Sequence, residues 1–259
     1  MTGADPADIW DAGLDEGERR LSRSGAGLLA TGVVGGVDIM LGILAMTVTS
    51  GAMSLVMPNE TAHVIGSLAF GIGIAFLIVG RSELFTENFL VPVTAVFHGR
   101  TRWTKLPRLW LGTLIGNLVS LFVLAAIFVR AGLVPPDALD AASEMAETFA
   151  QRDFVAALLS AIVAGTVMTL LTWLVHAAGS DGARLGIALL IGFVLAAPSL
   201  NHAVVSFGEM SFGILADRGS ADWDDLAQNF PVAVLGNLLG GLTFVTLARL
   251  VQVRGENAI

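Results

Sequence analysis

Two apolar stretches of this chain are too long to be single helices. Residues 62–98, built as one helix, would run about 55 Å at ~1.5 Å per residue, against a hydrocarbon core only ~30 Å thick. Residues 184–215 would run about 48 Å on the same basis. Tilt cannot absorb that excess, so each stretch must break. The first break falls at GRSELFTENF, residues 80–89, where Arg81, Glu83 and Glu87 interrupt the apolar run. The second falls at APSLNH, residues 197–202, where Pro198 removes a backbone donor and disfavours helix just before it. Irregular backbone at membrane depth is tolerated only where it is buried in protein or lines a wet cavity. Paired discontinuous helices commonly build ion and substrate sites, because their ends present free N–H and C=O groups.

The rest of the chain agrees with a membrane fold. Its 259 residues are 54% hydrophobic, too apolar for an ordinary soluble domain. Six spans are predicted, near 27–50, 62–98 (interrupted), 108–131, 154–177, 184–215 (interrupted) and 227–251. The expected organisation is an N-terminal tail over 1–25, one membrane domain over 26–252 and a short tail over 253–259. The tail is acid-rich at its start, unlike a signal peptide, and IWDAGLDEGERRL has apolar residues at helical spacing. It reads either as an interfacial helix, with Trp10, Arg19, Arg20 and Arg23 at the headgroups, or as a disordered tail. Arg100, Arg102, Lys105, Arg108, Arg184, Arg249 and Arg254 share a side with these tail arginines. Only Arg130, Arg152 and Arg218 fall on the other side, so both termini are expected in the cytoplasm of a cell whose inner membrane the chain crosses.

The two halves repeat. LWLGTLIGNLVSL resembles NFPVAVLGNLLGG, and the Gly-Asn pairs at 116–117 and 236–237 lie 120 residues apart. That offset carries Ser82 onto His202 and Thr86 onto Ser206. Three spans per half invert the second copy, the plan of many transporters.

SELFTENFLVPVTAVFHGRTRW, WLGTLIGNLVSL and PVAVLGNLLGG together resemble the formate/nitrite transporter family, over nearly the whole chain. The resemblance implies an all-α, aquaporin-like protomer of six transmembrane helices, with broken second and fifth helices and an inverted 3+3 repeat. It implies a homopentamer with a pore in each protomer, passing formate, nitrite, hydrosulfide, acetate or lactate. It identifies Leu84, Phe85 and Thr86 as the loop of the broken second helix, and His202, beside Asn201, as the central pore residue. Phe70 and Ile74 are then the outer apolar constriction, Leu84 and Phe85 the inner one, and Leu195 faces them. Asn237 belongs to the Gly-Asn of the last helix. The chain departs from the family pattern where a lysine is usual. Phe149 stands near that place and Arg152 three residues on, and Ala164-Gly165 replaces a Cys-Asn.

A charged group at the bilayer centre costs ~2.5–3.5 kcal/mol or more, so every such residue here needs a reason. His202 reads either as a structural tie across the Pro198 break or as the group that meets the permeant. Imidazole titrates near neutrality, so in the second case it would pass a proton to the anion. Arg81 is expected to pair with Glu83, Glu209 or Asp38 and clip the break, or else to attract anions. Glu87 belongs to the same charge cluster. Asn117 is expected to cap a break.

Other function classes lack support. Cysteine is absent, which excludes disulfides and thiolate chemistry. There is no HExxH, no GxSxG elbow and no basic patch for nucleic acid, so neither an enzyme, a metal site, a cofactor nor a nucleic-acid partner is expected. The alternatives are an aquaporin-like pore for neutral solutes, against which no NPA pair is present, and a structural or sensory membrane protein without flux.

Overall fold

In a computed structural model that describes residues 5–256, the described chain is helical, and no strand occurs among those residues. Eleven helices follow one another: α1 (Pro6–Ser22), α2 (Gly25–Ser54), α3 (Asn59–Gly80), α4 (Val91–Phe97), α5 (Lys105–Arg130), α6 (Pro136–Ala150), α7 (Phe154–Ala177), α8 (Asp181–Ala196), α9 (Ala203–Ala216), α10 (Trp223–Gly240) and α11 (Ala248–Glu256). A 3₁₀ turn, Phe85–Phe89, precedes α4, and a π-helical turn, Gly241–Leu247, makes α10 and α11 one rod. Five helices are long and apolar enough to cross a membrane among the described residues: α2, α3, α5, α7 and the α10–α11 rod. The two stretches too long to be single helices do break, between α3 and α4 and between α8 and α9.

Helix starts follow local chemistry. Ser24, Asp153 and Ser180 each accept an N–H from the first turn of α2, α7 and α8. Asp222 accepts the Asp225 N–H while Asp225 accepts the Asp222 N–H, a capping box that opens α10. The outer surface is apolar, unlike that of a soluble protein. Leu68, Leu111, Leu190 and Phe244 are each more than half exposed, as side chains facing lipid or a neighbouring subunit would be. Inside, Ile39, Met40, Ile43, Phe70, Ile74, Leu84, Phe89 and Phe212 are fully buried in one cluster.

Glycine sets the closest approaches. A Cβ on Gly192 of α8 would lie 2.6 Å from the Gly71 Cα of α3, so the two broken helices cross with their backbones in contact. Gly42 and Gly73 do the same for α2 and α3.

The N-terminal tail is helical, as its apolar spacing suggests, and not a disordered segment. Trp10 is 4% exposed and stacks edge-on against His98. Ile9, Trp10 and Leu14 pack with Leu90, Val91, Trp173, Leu250 and Val253, so α1 lies under the first break and beside α11. The two ends of the described chain therefore share one face, the terminal face. α6 covers the opposite face, against α2 and α9.

Candidate functional site

The two breaks are built alike. At the first, α3 ends at Gly80 and Arg81 turns left-handed, with φ 56°. Leu84 is extended and starts the 3₁₀ turn. At the second, Ser199 turns left-handed, with φ 50°, and extended His202 starts α9. Each break is held by one amide. Asn117 Oδ1 accepts the Phe85 N–H at 3.0 Å, and its Nδ2 donates to Glu83 O at 3.1 Å and Gly32 O at 2.8 Å. Asn237 Oδ1 accepts the Ala203 N–H at 2.8 Å, and its Nδ2 donates to Asn201 O at 3.0 Å and Ala161 O at 2.8 Å. Each side chain satisfies the donors and acceptors that breaking a helix at membrane depth sets free.

These bonds correct the register. Although the asparagines are 120 apart, the backbone they hold matches at an offset of 118: Arg81 with Ser199, Glu83 with Asn201, Leu84 with His202, Phe85 with Ala203. His202 is thus the counterpart of Leu84, not of Ser82, and Thr86 pairs with Val204. The side chains of Asn201 and Asn237 are wholly used within the protein. Asn201 exchanges two hydrogen bonds with Asn229, at 2.8 and 3.0 Å, and Asn201 and Asn237 are fully buried, as Thr86 and His202 are.

Thr86 and His202 meet between the breaks, with Thr86 Oγ1 2.6 Å from His202 Nε2, both fully buried. His202 Nδ1 lies 3.2 Å from the Val205 N and caps α9. A backbone N–H can only donate, so Nδ1 carries no proton. The neutral ring then holds its proton on Nε2 and donates it to Thr86 Oγ1, which leaves the threonine hydroxyl proton free to donate elsewhere. Phe70, Ile74, Leu84, Phe85 and Leu195 share the surrounding apolar cluster.

The charges fall differently from expectation. Glu83 does not pair with Arg81. Its Oε1 lies 2.7 Å from Arg23 Nη2 and 3.2 Å from Arg20 Nε, brought in by the last turn of α1 and the residue that caps it. Arg20 also donates to Glu16 Oε1 at 2.8 Å and to Asn88 Oδ1 at 3.2 Å. Glu87 turns back to accept the Leu84 N–H at 2.8 Å. Asp38 accepts the Ser82 hydroxyl at 2.5 Å. Glu209 lies far along α9, beyond reach of the first break. Arg81 forms no ion pair among the described residues, because its left-handed backbone turns it outward into a cavity. That cavity, ≈ 480 Å³, opens between α1, the first break and the ends of α7 and α8. Its charged lining includes Glu16, Arg19, Arg81, Glu87 and Arg184.

A family model described as "Formate/nitrite transporter" matches residues 7–251. The chain belongs to the formate/nitrite transporter family. Its relatives include "Inner membrane protein YfdC" of Escherichia coli (strain K12), 25% identical over 93% of this chain and 76% of that protein. Another is "Formate channel BtFdhC" of Bacillus thuringiensis, 26% identical over 94% of this chain and 93% of that one. Solved structures share the fold. One described as "FNT family ion channel" superposes with a TM-score of 0.82 at 16% identity, over 95% of this chain and 98% of that chain. Another, "Pentameric formate channel with formate bound", gives 0.73 at 18% identity, over 88% and 97%.

Within this formate/nitrite transporter, several residues at the site have no local sequence signal. Arg20 and Arg23 lie 63 and 60 residues before the carboxylate they hold. His63 Nε2 donates to Ala196 O at 3.2 Å and so ties the start of α3 to the second break, although its place near a span end marks it only as an interface residue. Ser160 Oγ accepts the Asn201 N–H at 3.0 Å and Arg152 at 3.3 Å.

Outside the membrane, α1 carries a titrating clip of its own. Burial works against the Glu16 charge, but Arg19 and Arg20 outweigh it and carry its pKa down from 4.5 to about 2. Both partners lie on α1 itself, so the contribution is to the helix and not to its seat on the break. A lowered carboxyl pKa stabilises above the unfolded value and fades as pH falls through the folded one. The Glu16 contribution to the stability of α1 is therefore complete above 4.5 and is lost between there and about 2. A spin-label pair within α1, one label in its first turn and one in its last, should hold its distance to pH 5 and spread below it. A distance unchanged at pH 2 would contradict this account.

Proposed function

We propose that this chain is a membrane channel for small monovalent anions, formate first among them, or for their conjugate acids. The observation that carries this is the Thr86–His202 hydrogen bond between two clamped breaks, inside an apolar cluster. An anion entering such a place gives up most of its water, at a cost of several kcal/mol. A hydroxyl whose acceptor side is filled by an imidazole N–H is polarised to donate strongly, and it replaces part of that hydration. Formate is small and flat enough to pass apolar rings such as Phe70 with Ile74 and Leu84 with Phe85. Arg81, free on the cavity wall, adds a positive charge on the terminal side. The formate channel from Bacillus thuringiensis, which matches nearly end to end, supports formate as the permeant.

The same reading extends to architecture. Six spans in two inverted sets of three are supported by the matched clamps, the matched left-handed residues and their common offset of 118. Residues 26–252 form the membrane domain, flanked by tails on the cytoplasmic side of the inner membrane, as the excess of arginine and lysine there implies. Assembly is as a homopentamer in lipid, as in the solved pentameric relative, with the exposed apolar faces covered.

Proteoliposomes loaded with a pH dye and challenged with sodium formate test this. The wild type should pass formate faster than glycerol. Thr86→Val, which keeps shape and removes the hydroxyl, should lower formate flux by roughly tenfold or more, the worth of a hydrogen bond to a charged group at ~1.5–3 kcal/mol. His202→Phe should do the same. Equal passage of glycerol and formate would point instead to a pore for neutral solutes. Passage of neither would end the transport reading.

A further inference from the structure

One face of α9 leads from the Thr86–His202 pair toward the opposite surface, under α6. It carries His202, Ser206 and Glu209, spaced i, i+4 and i+7, which form one stripe on a helix. At ~1.5 Å per residue, Ser206 stands about 6 Å and Glu209 about 10 Å beyond His202, still within a half-core of ~15 Å. Both are buried, and both lack what burial requires. Ser206 Oγ has no hydrogen-bond partner. The Glu209 carboxyl has neither a hydrogen bond nor an ion pair among the described residues, although the residue is only 5% exposed. A carboxylate so placed is strongly unfavourable, and even a neutral carboxyl needs an acceptor for its O–H. Two partnerless polar groups thus share one stripe that begins at His202.

The surrounding charges isolate Glu209. From the α6–α7 connection, Arg152 bears on it while bonding Ser160 Oγ and lying over the Phe149 ring. The acids of α6 are engaged elsewhere: Asp140 with Arg218, Glu144 with Asn59, Glu147 with Ser220. On α10, Asn229 faces Met210 and Asn201 and is uncharged. On α2, Asp38 is tied to Ser82 at the first break. α5 presents Thr113, Asn117 and Ser120 but no buried charge. His202, on α9 itself, is a poor proton reservoir. A second ring proton would have to displace the Val205 N–H from Nδ1 and uncap the helix.

We propose that Glu209 is the protonatable site of the α6-side half of the passage. It stands there as a neutral carboxylic acid and protonates the permeating anion. Its O–H bond breaks, the anion gains that proton and becomes the neutral acid, and a carboxylate remains. Arg152 stabilises that carboxylate until a proton from water on the α6 side restores it. The neutral acid then crosses the apolar rings past Thr86 and His202 and releases its proton in the cavity at the terminal face. Transport of each anion is thereby matched by one proton. This rests on the transport reading above and adds the residue that carries the proton.

Proteoliposomes with an internal pH dye, given an inward sodium formate gradient, test it. In Glu209→Gln, formate-driven proton uptake should fall by roughly tenfold or more, as loss of a positioned proton donor does, while Glu209→Asp retains uptake and its dependence on pH at the α6 side. Independently, dicyclohexylcarbodiimide, which attacks protonated carboxyls in apolar surroundings, should label the Glu209 peptide of the wild type, and formate should slow that labelling. Proton uptake by Glu209→Gln equal to wild type overturns the proposal and leaves the transport reading intact. So does a Glu209 peptide that stays unlabelled, which decides the matter if Glu209→Gln does not assemble. A wild type that passes no formate sinks the transport reading itself, and the labelling result still reports on Glu209.

Discussion

Asn237→Ala should not yield a stable, transporting protein. The amide makes three bonds, to the Ala203 N–H and to the carbonyls of Ala161 and Asn201. Truncation leaves the Ala203 N–H and the Asn201 C=O unpaired at membrane depth, where no bulk water replaces the lost partner, while the Ala161 C=O keeps its place in the ladder of α7. At ~1–3 kcal/mol for each buried unsatisfied group, the loss is roughly 2 kcal/mol at the least, a substantial part of a typical folding free energy. The small cavity left by the amide adds less. Asn237→Asp is the more telling variant. It keeps an acceptor for Ala203 but sets a carboxylate against two carbonyl oxygens, so it should fail as well. Thr243→Ala, on an exposed face where the hydroxyl bonds only Leu239 O, should melt like the wild type. Thermal unfolding in detergent, together with formate flux, reads all three. An Asn237→Ala protein with wild-type melting and flux would remove the amide clamp from this description. Asn117→Ala, which frees the Phe85 N–H and the Glu83 C=O, should behave in parallel.

Glu83→Ala should have an effect of similar size for a different reason. One carboxylate oxygen neutralises two guanidinium groups whose side chains are only 9% and 16% exposed. Removing one partner of a buried ion pair costs ~3–5 kcal/mol, because the remaining charge keeps its desolvation without compensation. Here Arg23 is left without a counter-ion among the described residues, beside Arg20, which keeps Glu16. Glu83→Gln, which retains an acceptor but no charge, should fall between. The attribution is tested by a cycle: Arg23→Met in the Glu83→Ala background should recover part of the melting temperature, whereas in the wild type it should lower it. Additive losses would show that Glu83 acts through packing and not through charge.

The sequence exposes the breaks clearly, since three charges in GRSELFTENF and Pro198 in APSLNH cannot sit in an uninterrupted membrane helix. It also exposes the Gly-Asn repeat. What it misplaces is the relation between the two. An offset taken from the asparagines pairs Ser82 with His202, but the amides reach across space to backbone, and the backbone aligns two residues away. Partners of charges are the least legible feature. Glu83 looks available to Arg81, two residues earlier, yet its cations arrive at the end of α1, because a left-handed residue after Gly80 directs Arg81 the other way. α6 carries no membrane-length apolar run, so hydropathy passes over it, although Ala138, Ala141, Ala142, Met145 and Phe149 recur at helical spacing. The pairing of His202 with Thr86, by contrast, could be anticipated from the residues themselves, because a buried imidazole and a buried hydroxyl at facing breaks have few other partners.

The crossing of α3 and α8 at Gly71 and Gly192 has a consequence for how such a protein can change. Peptide atoms have no rotamers, so the spacing of the two helices at this point is fixed by main chain and does not breathe with side-chain motion. The buried side chains of the same cluster, Phe70, Ile74, Leu84 and Phe85, are ordinary side chains and can be exchanged one at a time. Frame and lining are thus inherited separately, and a lineage can alter the interior of the protein without moving the two helices that hold it.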